Sequence, residues 1–98
     1  MALYLVSYDI EKKNDDYQSL WDELKTLKAV KILYSEWAVP YGGTASDLVK
    51  LLRTHIETGD KILACELFNT AGVISWNKLK ISGDAFKKLL ADYARKLS

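Results

Sequence analysis

Val30-Lys31-Ile32-Leu33-Tyr34-Ser35-Glu36-Trp37-Ala38-Val39-Pro40 is apolar on both alternations, with Ile32, Tyr34 and Ala38 opposed to Leu33, Trp37 and Val39. Read as one straight strand it would run about 36 Å at ~3.3 Å per residue, so a bend or break is expected near Ser35 and Glu36. The stretch then becomes two short strands in sequence. Pro40 and Gly42-Gly43 are expected to end the second of them.

Upstream, residues 2–9, ALYLVSYD, are dense in strand formers and apolar on both faces, Leu3 and Leu5 on one, Tyr4, Val6 and Tyr8 on the other. This is the pattern of a central strand covered on both sides. Between the two strand regions, from Asn14 to Lys28, Tyr17, Leu20, Trp21, Leu24 and Leu27 recur at helical spacing. Asn14, Asp15 and Asp16 suit the positive end of that helix.

Downstream, a second helix starts at Thr44 or Ser46, carries Leu48, Leu51, Leu52, His55 and Ile56 on one stripe, and stops at Gly59. Lys61 to Asn69 alternates Ile62, Ala64, Glu66 and Phe68 against Leu63, Cys65 and Leu67, and reads as another interior strand, with Cys65 a small core residue. After Gly72 the apolar piece Val73-Ile74-Ser75-Trp76 reads as a short extra strand. Ser82-Gly83-Asp84 then precedes a third helix over 82–97, with Phe86, Leu89, Leu90, Tyr93 and Leu97 as its stripe.

The order β-α-β-β-α-β, plus a short strand and a helix, predicts an α+β fold: a ferredoxin-like βαββαβ sandwich with an additional C-terminal strand and helix, in one domain spanning 1–98. Two helices cover one sheet face. The other is too apolar to stay in water, so either the third helix or a second subunit must cover it, and a homodimer is expected.

At 98 residues there is no room for a separate cofactor module. Fourteen Lys and Arg against 13 Asp and Glu leave a net charge of +1, so a nucleic-acid partner must be held by a local patch. Only Arg53 and Arg95 are arginines, which argues against reading base sequence through planar forks. No run approaches the ~18 apolar residues of a membrane span, and the run Met1 to Val6 lacks a basic leader before Ser7 and Asp9. The expectation is a cytoplasmic protein without membrane contact.

Phosphate-binding loops, nucleophile elbows and dinucleotide fingerprints are absent from the sequence. His55 lies on an apolar helical stripe, where a structural histidine is the ordinary case. Asp9 is different, because it ends an apolar central strand beside a loop. A carboxylate there either caps the turn from Asp9 to Lys13 or binds a hard cation that activates water against a phosphodiester. Spacing alone favours the cap.

Two stretches carry a family resemblance. Tyr4-Leu5-Val6-Ser7-Tyr8-Asp9-Ile10 resembles the first strand of the Cas2 proteins of CRISPR systems, and Lys31-Ile32-Leu33-Tyr34-Ser35-Glu36-Trp37 is similar to their second signature. VapD-type ribonucleases and Cas2-like proteins outside CRISPR loci are neighbouring families on the same fold. The resemblance covers about residues 3 to 68. It implies a homodimer with sheets face to face, the strand-ending Asp9 of each subunit near the dimer axis, and a divalent metal, Mg²⁺ or Mn²⁺, held there for hydrolysis of RNA or DNA. Carried over by the resemblance, the catalytic positions are Asp9, its aromatic neighbour Tyr8, and Ser35 of the second signature, where Trp37 stands in place of the family's usual Phe. The alternative is a noncatalytic dimeric scaffold, with Lys12, Lys13 and Lys31 as nucleic-acid contacts or the same surface holding a protein partner.

Overall fold

In the computed structural model, residues 1–10 and 17–97 are described. Lys12 and Lys13, and the helix start placed at Asn14 to Asp16, lie outside the described residues. The described elements are β1 (Ala2–Asp9), α1 (Gln18–Thr26), β2 (Val30–Leu33), β3 (Glu36–Tyr41), α2 (Ala45–Leu52), β4 (Lys61–Leu67) and α3 (Gly83–Tyr93). A short 3-10 turn, Arg53–His55, extends α2. The strands form one antiparallel sheet in the order β2-β3-β1-β4, making an α+β domain.

The expected break falls at Tyr34-Ser35, where a two-residue turn converts the long apolar stretch into the β2-β3 hairpin. A register shift between Lys31 and Leu33 bends β2 against β3. Pro40 does not end β3 but sits inside it, opposite Leu3 of β1. It is tolerated there because β2 pairs with β3 only from Glu36 to Ala38, so no ladder partner on that side needs the missing N–H.

The alternation of β1 divides the core in two. Tyr4, Val6 and Tyr8 pack with Leu20 and Leu24 of α1, Leu48 and Leu52 of α2, and Trp37 and Val39 of β3. On the opposite face Leu3, Ile32 and Ala38 pack with Phe86 and Leu90 of α3. The third helix therefore covers part of the second face within one chain. It ends at Tyr93, short of the expected 97, because Ala94 is extended.

Residues 73–76 form no strand. Ile74 and Trp76 instead join the second core, and the Trp76 ring meets Phe86 edge to face at 4.9 Å between centroids. Burying these two side chains under the sheet outweighs a lone strand's pairing. β4 is also an edge strand, not an interior one. Its outward side chains on the second face are therefore wet: Cys65 is exposed, contrary to its reading as a core residue, and Leu63 is 60% exposed.

Helix ends follow local chemistry. Thr44 caps α2 by accepting from the Asp47 N–H at 3.1 Å while Asp47 accepts from the Thr44 N–H at 3.3 Å, a reciprocal capping box. At the end of α1, the Ala29 N–H donates to the Leu24 carbonyl and the Lys28 N–H to that of Lys25, both at 2.9 Å. That Schellman geometry requires a left-handed residue, and Lys28 supplies it at φ 63°. Lys28→Gly is therefore expected to stabilise the fold by about 0.5–1 kcal/mol, since a non-glycine side chain is disfavoured at positive φ. Denaturant titration showing no gain would contradict this account of the helix end.

Two carboxylates tie stability to pH. The backbone N–H of Thr44 holds the Asp47 carboxyl below its ordinary value of 3.8, and the Arg95 guanidinium, bonding Glu66 at 2.6 and 2.5 Å, holds Glu66 below 4.5. A carboxylate with a lowered folded-state pKa contributes stability that is complete above its unfolded value and lost as pH falls through the folded one. Stability is thus expected to decline below about pH 4.5 as these groups protonate. Glu66→Gln should flatten part of that acid limb, and an unchanged limb would remove Glu66 from its cause.

Candidate functional site

Asp9 closes β1 on the face of Leu3, Leu5 and Ser7, away from α1 and α2, and is exposed. Strand register decides its neighbours. Asp9 stands opposite Lys61 of β4, while Ser7 stands opposite Glu36 of β3 and Leu63 of β4. Glu36 is therefore the diagonal neighbour of Asp9 on the same face, a relation that places Cβ atoms roughly 7–8 Å apart. The sequence reading did not include Glu36 or Lys61 in the site. Only the pairing of β3 and β4 on β1 brings them to Asp9.

Tyr8 lies on the other face. Its hydroxyl accepts from the indole N–H of Trp37 at 3.1 Å and of Trp21 at 3.2 Å, which fixes it between α1 and β3 inside the first core. Tyr8 and Asp9 thus do not converge side chain to side chain. Ser35 is half-buried in the β2-β3 turn, and its carbonyl accepts from the Tyr8 N–H at 3.2 Å, extending the β1-β3 ladder by one bond. The turn is brought to the Asp9 end of the sheet by this backbone contact.

Lys31 belongs to the Tyr8 side. Its ammonium lies 5.3 Å from the Tyr34 ring centre and 6.0 Å from that of Trp37. His55 sits 3.4 Å from Glu23, joining the end of α2 to α1 rather than any reactive group.

A single Asp9 with Glu36 at a diagonal offers two hard oxygen donors beside a lysine. Among the described residues no group of three or more His, Cys, Asp or Glu side chains comes together to hold a metal. No helix among the described residues is long and apolar enough to cross a membrane. No family model matches the chain, and no solved structure matches it.

Proposed function

We propose that this chain is a ferredoxin-like domain of the Cas2-like type that acts as a homodimer, apposing two Asp9 carboxylates to hydrolyse phosphodiester bonds of RNA or DNA with Mg²⁺ or Mn²⁺. The strand order β2-β3-β1-β4 supports the ferredoxin-like reading, since each helix α1 and α2 links strands in the βαββαβ sequence. The observation that carries the functional reading is the company Asp9 keeps: it stands on the sheet face where Leu63 is 60% and Leu33 40% exposed and Cys65 is open. A second copy covering Leu33, Leu63 and Cys65 about a two-fold axis would bring the two strand ends together.

Two Asp9 and two Glu36 then supply the oxygen donors that one chain lacks, a set suited to a hard cation. Such a cation lowers the pKa of bound water and stabilises charge on a phosphoryl oxygen. The protein's part is to hold the carboxylates rigidly at a strand end, with Lys61 beside them to attract the phosphate. Incubating the protein with labelled RNA and DNA, with and without Mg²⁺ or Mn²⁺, tests the activity. Metal-dependent cleavage that disappears in Asp9→Asn is the expected result, and cleavage unchanged in Asp9→Asn would remove it from this role. Sedimentation that shows only an 11.1 kDa species at micromolar concentration would remove the dimer.

The noncatalytic scaffold is favoured by one observation. Lys61 opposite Asp9 makes an opposite-charge cross-strand pair of the kind that simply stabilises a sheet. On this reading the same dimer holds nucleic acid or a protein partner without cleaving it.

A further inference from the structure

The far side of β1 carries a cleft that the Asp9 reading does not use. It has a volume of about 380 Å³ and opens between α1 and the β2-β3 hairpin. Tyr8, Trp21, Tyr34 and Trp37 supply its aromatic walls, and Lys25 and Lys31 its charge. No carboxylate lines it among the described residues. In a chain with a net charge of only +1, this is a local concentration of positive charge against aromatic surface.

We infer that this cleft binds a nucleotide unit, with the base stacked on Tyr34 and the phosphate held by Lys25 and Lys31. Tyr34 is 79% exposed, so most of its ring is open to a planar partner. The Lys31 ammonium lies over the Tyr34 and Trp37 rings, at 5.3 and 6.0 Å from their centres, which keeps a cation against the aromatic wall before any ligand arrives. Trp37 and Trp21 are in turn held by the Tyr8 hydroxyl, so the back wall is rigid. Its volume of about 380 Å³ reaches the range of ligand pockets, which begin near ~300 Å³.

Other occupants fit less well. A cationic ligand, the usual guest of an aromatic cage, is repelled by two lysines. An aryl phosphate such as phosphotyrosine satisfies the ring and the charge but offers no heteroatom edge to the Gln18 carboxamide at the rim, whose nitrogen already donates to Asp22 at 2.8 Å and whose oxygen can accept a base N–H. Stacking on aromatic side chains tolerates every base, so the cleft selects nucleotides as a class and not a sequence.

The site stands apart from Asp9, on the opposite face of β1, and either reading can fail alone. Titrating the whole protein with adenosine 5′-monophosphate at low salt, followed by tryptophan fluorescence, tests it. Saturable quenching is expected, with ribose 5-phosphate, which lacks the base, at least ~5-fold weaker, the low end of what a base stack contributes, and with adenosine and O-phosphotyrosine also weaker than the nucleotide. Tyr34→Ala and Lys31→Ala should each weaken binding by a similar factor, Tyr34→Phe should retain it, and Asp9→Asn should bind as the wild type does. A ten-nucleotide single-stranded oligoadenylate binding more tightly, with an affinity that falls steeply with salt, marks a nucleic-acid strand as the source. Equal affinity marks free nucleotide. No quenching at millimolar nucleotide, ribose 5-phosphate or phosphotyrosine equal to the nucleotide, or full affinity in Tyr34→Ala with unchanged circular dichroism, overturns the inference.

Discussion

Trp37→Ala is expected to destabilise the domain by about 3–5 kcal/mol, the usual cost of truncating a buried aromatic. Trp37 is only 7% exposed and packs in the core between the sheet and α1 and α2. The loss extends beyond its own area. Its indole N–H donates to the Tyr8 hydroxyl, which also accepts from Trp21, so one oxygen serves two aromatic donors. Tyr8→Phe separates the two contributions, because it keeps the ring and leaves both donors without this acceptor. A loss of about 1–3 kcal/mol is expected for that variant. Denaturant titration giving less than ~1 kcal/mol for Trp37→Ala would place its ring outside the core.

Phe86→Ala should cost a comparable ~3–5 kcal/mol, and for a different reason. Phe86 is 3% exposed and is the contact through which α3 and the Trp76 segment close over Leu3, Ile32 and Ala38. Removing it opens a cavity between helix and sheet and wets part of the second face. A loss below ~1 kcal/mol would show that α3 is not what shields that face. With α3 in place, Leu33, Leu63 and Cys65 of the sheet remain exposed.

What could be read from the sequence was local. The break before Glu36 follows from strand length, the start of α2 at Thr44 or Ser46 from the helical stripe behind them, and the two faces of β1 from strict alternation. The same alternation already separates Tyr8 from Asp9, since successive side chains of a strand point to opposite faces. Family resemblance placed both in one site, and the strand does not bring their side chains together. What could not be read depends on which strand lies at the edge. Cys65 and Leu63 sit in a pattern that suits an interior strand, and only the position of β4 at the end of the sheet leaves them wet. Residues 73–76 were short enough to be either strand or cover, and tertiary packing of Trp76 on Phe86 decided it. Glu36 and Lys61 reach Asp9 only through inter-strand register, which no spacing along the chain encodes.

Thermal unfolding of the wild type and of Asp9→Asn, each with and without millimolar Mg²⁺ or Mn²⁺, tests the proposed paired-carboxylate site directly. Two Asp9 carboxylates brought together at a dimer axis repel each other until a cation enters, so the wild type should gain stability from the metal. Asp9→Asn removes the repulsion along with the ligand. It should therefore unfold at a higher temperature than the metal-free wild type and ignore both ions. A wild type indifferent to Mg²⁺ and Mn²⁺, with Asp9→Asn less stable than it, would contradict the paired site and leave Asp9 as the sheet-end partner of Lys61.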